Sequence, residues 1–259
     1  MRESCRRVNG RILLRLACLL VCACTGVAVN AEPSTSKIVC RATLAEARRA
    51  ELSAQLRAIT GWSGLHFDGG GFLRIGTERP SGGSPSAREL LAAAQAGENL
   101  LIIEDASGSS DVAFSRVLEG RWRDGAGGRP PAYVVQIDFK DFSHVKGDRA
   151  ALAAFNAGWG ALHEIEHAVK DSADAERPGE AGECEGAINR MRRECGLAER
   201  AEYFYTQLPG AAGGEFKTRY VRLAFTQARE ADQKRRQYWL YWDAALTGGV
   251  PDASQLASR

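Results

Sequence analysis

Residues 148–170 read DRAALAAFNAGWGALHEIEHAVK, and the spacing of residue types within them decides the reading of the chain. The run contains no proline and opens on Asp148, a residue suited to cap a helix, so it predicts one continuous helix to about Lys170. On that helix Phe155, Trp159, Leu162, Ile165 and Val169 fall on one apolar arc, with Asn156, Gly160, His163 and His167 opposite. Core and chemistry therefore occupy different faces. His163 and His167 are four residues apart and stand about 40° apart around the axis, so both rings can present a nitrogen to one metal ion. Glu164 lies beside that face, where it can take a proton from a water held on the metal. Gly160, one turn before His163, leaves room on the ligand face for substrate or for backbone packing.

A hydrolytic zinc site needs three protein ligands and one open position. The two remaining histidines, His66 and His144, lie upstream, so a downstream carboxylate is the expected third ligand. A second helix is predicted over about residues 183–194, closed by Gly196. Along it Cys184, Ile188, Met191 and Cys195 make an apolar stripe, and Glu185, Asn189 and Arg192 make a polar stripe beside it. That placement selects Glu185 as the third ligand, with Glu183 and Glu180 as the alternatives. Asn189, one turn on, is suited either to accept the other ring proton of a ligating histidine or to a hydrogen bond on the helix surface.

The motif His163-Glu164-Ile165-Glu166-His167, followed eighteen residues after its second histidine by Glu185 and then by Asn189, resembles the zincin superfamily and, within it, the glutamate-ligand branch, the gluzincins. Residues 189–203, NRMRRECGLAERAEY, are also similar to the tail of bacterial metallopeptidases that include effector-type and toxin-associated ones. The similarity covers about residues 148–203 and leaves residues 32–130 unassigned. It implies an α+β, zincin-like catalytic domain holding Zn2+, with a mixed sheet ahead of the motif helix and the third-ligand helix behind it. It also implies an edge strand that aligns an extended peptide, for which residues 132–139 are in the right place. The metzincin extension with a third histidine is absent, since no histidine follows His167.

Upstream of the motif, Thr43-Leu-Ala-Glu46 and Ser86-Ala-Arg-Glu89 are capping boxes, predicting helices to about Ile59 and Ala96. Residues 65–67 and 72–75, separated by Asp68 and three glycines, predict a hairpin. Residues 99–104, 112–118 and 132–139 are short β-branched and apolar runs that predict strands, with a glycine- and proline-rich loop over 124–131. Downstream, residues 220–226 and 237–242 fit either a hairpin or one long helix.

The 259 residues carry 34 basic and 32 acidic side chains, a formal charge of +2, which gives no field that argues for nucleic acid. The N-terminal stretch is different. Arg2, Arg6, Arg7, Arg11 and Arg15 precede an apolar run from Leu16 to Val29, and Val29-Asn30-Ala31 supplies a small-residue cleavage site. Residues 1–31 are therefore expected to be a signal peptide, with 32–259 a single exported domain that keeps no membrane span. Lipidation at Cys24 is the alternative. Of seven cysteines, Cys40, Cys184 and Cys195 remain after cleavage. Cys184 and Cys195 lie ~16 Å apart on one helix, too far to pair, so any bridge has Cys40 at one end. The expected activity is that of a zinc metallopeptidase acting on a polypeptide. The alternatives are a zinc amidase of the cell envelope and a non-enzymatic zinc-binding protein, for which Trp239, Tyr241 and Trp242 would form a recognition surface. Tyr203, Tyr205 and Tyr220 are the candidates for steadying an oxyanion.

Overall fold

A run of four apolar residues, Leu100 to Ile103, buried on both faces, marks the centre of the principal sheet in the computed structural model. The structure describes residues 36–121, 131–208, 219–228 and 234–249. The expected signal peptide, Cys24 and most of the 124–131 loop lie outside them.

The elements in chain order are β1 (Ile38–Cys40), α1 (Glu46–Thr60), β2 (His66–Phe67), β3 (Leu73–Arg74), α2 (Pro85–Ala96), β4 (Leu100–Asp105), β5 (Ser115–Arg121) and β6 (Pro131–Ile137). There follow α3 (Phe139–His144), β7 (Lys146–Gly147), α4 (Arg149–Ala153), α5 (Ala157–Lys170), α6 (Gly182–Glu194), β8 (Glu199–Arg200), β9 (Thr206–Gln207), β10 (Tyr220–Ala228) and β11 (Arg235–Asp243). The architecture is α+β. One sheet runs β1-β4-β6-β5, its first three strands parallel and β5 antiparallel to β6. Leu101, Ile103, Val135 and Ile137 turn one face of it onto α1, α2, α5 and α6, while Leu100, Ile102, Ala132 and Val134 meet Phe72 on the other. A second, antiparallel sheet runs β7-β11-β10-β8, with β9 also on β10. It presents Val221, Leu223, Phe225, Leu240 and Trp242 to Val145 and the α4 region.

Several expectations move. The helix drawn as 148–170 is two helices, because the Asn156 side chain accepts from the backbone N–H groups of Gly158 (3.0 Å) and Trp159 (3.2 Å) and so starts α5 afresh. Phe155 consequently leaves the motif helix and stacks edge-on to Phe114 and Phe225. Thr43 caps nothing, since α1 starts after Ala45. α2 is capped two residues early, by Ser84 Oγ accepting from Ala87 N, with Pro85 in the first turn. Ser86 instead donates to Glu194. Of the hairpin and the long helix expected downstream, the strands are found: β10 and β11 pair antiparallel in register from Tyr220–Asp243 to Ala228–Arg235. β6 is not an edge strand: it lies between β4 and β5, and the edges are β1 and β5. The thiols of Cys40, Cys184 and Cys195 are all free. Among the described residues no helix is long and apolar enough to cross a membrane.

Candidate metal centre

α5 presents His163 and His167 one turn apart, their Nε2 atoms separated by 3.1 Å. The helix stops at Asp171, whose backbone is left-handed (φ 55°) and whose N–H closes on His167 O at 3.0 Å. That reversal turns the chain back across the histidines. Asp174 Oδ1 then stands 3.1 Å from His163 Nε2 and 3.4 Å from His167 Nε2. The return is fastened at its far end, where Glu183 N and Cys184 N both donate to Ala173 O at 3.0 Å and Asp174 forms an isolated bridge with Gly182. Gly182 must be glycine here, because its φ is +79° and a Cβ would lie 2.4 Å from Ala175 N.

A tetrahedral zinc site with bonds of about 2.0–2.1 Å to N and O places its ligand atoms about 3.3 Å apart. The three distances above match such a face. Cys184 Sγ joins the same group, all four ligand atoms lying within 4.8 Å of one another. The protein thus holds a possible metal-binding group made of His163, His167, Asp174 and Cys184.

Three of these side chains are oriented from behind. His167 Nδ1 meets Ser172 O at 2.6 Å; a carbonyl only accepts, so Nδ1 carries the proton and Nε2 is left to bind. Tyr203 donates its hydroxyl to Asp174 Oδ2 at 2.7 Å, leaving Oδ1 toward the two histidines, and its ring stacks on His163. His163 Nδ1 faces Glu185 Oε2 at 3.5 Å.

Glu185 is therefore behind His163 rather than in the ligand group. Fully buried, it lies between two cations: Arg192 donates to Oε1 and Arg200 donates to Oε2 at 3.1 Å. Their charges overcome burial, which alone would raise it, and hold its carboxyl well below the usual range. A helix-wheel reading sees its inward face but not that two arginines already take its oxygens. Glu183 and Glu180 are exposed; Glu183 reaches the backbone of Ala173, and the carbonyl of Glu180 accepts from Tyr203 N. Asn189 does not touch a histidine. It exchanges hydrogen bonds with the backbone of Arg200 and accepts from Arg192, tying α6 to β8.

Asp174, which lies closer in sequence to His167 than Glu180, Glu183 or Glu185, joins the group although the sequence pattern pointed to a glutamate. The signal for it was the turn-forming Asp171-Ser172 pair that ends the helix. Of the tyrosines considered, Tyr203 reaches the group; Tyr205 packs against Trp242, and Tyr220 is on β10.

Glu164 is 5 % exposed, and its Oε1 accepts from Ser115 Oγ at 2.8 Å. Burial raises its pKa, opposed by the His163 charge and by the Ser115 bond. Gly160 lets Ser115 approach: a Cβ there would fall 2.9 Å from Phe142 Cζ and 3.1 Å from Ser115 Oγ. Of the two uses expected for the space at Gly160, substrate or packing, the neighbours Phe142 and Ser115 give it the second, with side chains filling it. Burial would lower His167, but Asp174 and Cys184 outweigh it and hold it at about 10, and His163 is likewise pushed up. Asp174 is correspondingly pulled well down, its burial outweighed by the two histidines.

Compared with models of protein families, with curated proteins and with solved structures, the chain matches none.

Proposed function

We propose that the protein is a zinc-dependent hydrolase of the zincin type, a metallopeptidase that binds its metal through His163, His167 and Asp174 and uses Glu164 as general base. The observation that carries this is the position of Glu164: a buried carboxylate one residue from the ligand face, held by Ser115 through one oxygen, with no hydrogen-bond partner for the other among the described residues. Two imidazoles, a carboxylate and a nearby thiol are a donor set that favours zinc over the hard cations magnesium and calcium. A zinc ion bound there supplies a Lewis acid that polarises a carbonyl and lowers the pKa of water.

The residues of the chain do the rest. Glu164 takes the proton of the attacking water through Oε2 while Ser115 fixes its rotamer, and its raised pKa brings its basicity closer to neutral pH. The protonated carboxyl then returns that proton to the leaving amine. Tyr203 holds Asp174 to a single free oxygen and keeps the third ligand aimed at the histidines. A peptide substrate is favoured by β5, an edge strand that begins at Ser115 itself, so a chain extended along that edge passes Glu164.

The test is hydrolysis of a broad peptide library by the zinc-loaded protein. Cleavage by the wild type and its loss in Glu164→Gln, with bound zinc unchanged, is the expected result. Cleavage that persists in Glu164→Gln removes the mechanism, and a zinc-loaded wild type that cuts nothing removes the peptidase reading.

A further inference from the structure

We propose that Cys184 is a fourth protein ligand, so that the resting metal is held by two imidazoles, a carboxylate and a thiolate; this rests on the metal reading above. Three observations carry it.

The first is position. Cys184 lies in the first turn of α6, with no solvent exposure, and its N–H shares Ala173 O with that of Glu183. The loop carrying Asp174 and the helix carrying Cys184 are thus fixed to each other through one carbonyl, which holds the carboxylate and the sulfur in a defined relation.

The second is the company of the sulfur. Of the three free thiols, Cys195 contacts Ile59 O from the other end of α6 and Cys40 lies on β1; only Cys184 is in the group with His163, His167 and Asp174. Its hydrogen bond to His163 O, 3.4 Å, is the weak kind a thiol makes, which a stronger partner displaces.

The third is the chemistry of the set. Three harder donors already stand at the mutual spacing of zinc ligands, and the sulfur, within 4.8 Å of each of them, makes up a four-donor set of the kind that retains zinc. On binding, the thiol proton leaves to solvent and the sulfur donates as thiolate. The three-ligand set that hydrolysis needs is then reached when Cys184 lets go of the ion, so Cys184 holds the resting site closed and Glu164 acts once it opens. The same sulfur biases the site toward softer ions, cadmium above zinc and zinc above cobalt.

The experiment is cobalt substitution of the chelated protein, read in two spectral regions. Visible ligand-field bands report that cobalt is bound by the histidine and carboxylate set, and a near-ultraviolet thiolate-to-cobalt charge-transfer band reports sulfur. The wild type should show both; Cys184→Ser and Cys184→Ala should keep the first and lose the second; Cys40→Ser and Cys195→Ser should keep both. Cadmium affinity should fall by about tenfold or more in Cys184→Ser, and by more than zinc affinity. Ligand-field bands without charge transfer in the wild type would overturn the fourth ligand and leave the three-ligand reading standing. Absence of both bands, with no zinc uptake, would overturn the metal reading itself. Because Cys184 is buried, far-ultraviolet circular dichroism of each chelated variant must match the wild type, and the cadmium-to-zinc ratio in the wild type alone supplies the second reading.

Discussion

Replacing Glu185 by glutamine separates a carboxylate that binds metal from one that holds two arginines. Arg192 is 2 % exposed, with its guanidinium over the rings of Trp159 and Phe225, and its remaining acceptors are Ala154 O and Asn189 Oδ1, both neutral. Removing the charged partner of a buried pair costs about 3–5 kcal/mol, because the other charge stays buried without compensation. The amide oxygen of glutamine still accepts one hydrogen bond, which puts the expectation at the lower end, about 3 kcal/mol. For a compact unit the size of Ser36–Arg259, each kcal/mol shifts the melting temperature by about 2–4 °C, so a fall of about 6–12 °C is expected. The measurement is calorimetry in excess chelator, where metal binding contributes nothing to either variant. Zinc affinity, measured separately by competition, should fall by about 10–100-fold, the usual loss when a residue that orients a ligating histidine is removed. Asp174→Ala should lose the metal altogether. If chelated Glu185→Gln melts with the wild type while binding no zinc, the carboxylate belongs to the metal and the assignment of Asp174 is refuted.

Three further outcomes follow from the same geometry. Ser115→Ala removes the hydrogen bond that favours the charged form of Glu164, so the pKa of Glu164 rises; at about 1.5–3 kcal/mol for a bond to a charged group, the acid limb of the pH–rate profile moves up by about 1–2 units, and an unmoved limb refutes the contact. Gly160→Ala gains about 1 kcal/mol of helix propensity but costs about 1–3 kcal/mol in overpacking against Phe142 and Ser115, so the melting temperature should fall by about 0–8 °C while kcat falls through displaced Ser115; unchanged kcat would show that the contact is slack. Between His163 Nε2 and His167 Nε2, 3.1 Å apart beside an ionised Asp174, at least one proton is retained at neutral pH in the metal-free protein, so zinc uptake should release at least one; calorimetric titration in two buffers of different ionisation enthalpy reads it, and equal enthalpies would contradict it.

Much of the secondary structure could be read along the chain because its signals are local. The buried run at Leu100–Ile103, the glycine-linked hairpin around Asp68 and the apolar arc of α5 each declare themselves within a few residues. What could not be read was whatever depends on a competitor nearby in sequence or on a partner far from it. Asn156 sits on the polar face of an uninterrupted helical pattern, so periodicity alone keeps it inside the helix; only its side chain's bond to Gly158 N makes it a start. Whether residues 131–137 or 115–121 form the edge of the sheet depends on strand order, although the two arginines and the glutamate of 115–121, set against the apolar run 131–137, were a local signal for the edge.

The metal group shows the same division more sharply. His163, Glu164 and His167 are fixed relative to one another by a single turn of helix, so their spacing in sequence is their spacing in space. The third donor of the group is not on that turn. Its position depends on how the chain leaves the helix, and here the left-handed Asp171 brings Asp174 back within three residues, before α6 begins. Glu185 drew attention because it is an inward-facing carboxylate at a suitable distance along the chain, and inward it does face. A buried carboxylate, however, needs compensation from somewhere, and burial pattern alone does not distinguish a metal from an arginine as its source. Arg192 lies seven residues on, two turns along the same face, and Arg200 follows on β8; a polar stripe of Glu185, Asn189 and Arg192 is therefore already a self-neutralising set. A carboxylate that must bind a metal is better placed where no arginine can reach it, and among the described residues Asp174 meets that condition: its partners are two histidines and a tyrosine hydroxyl.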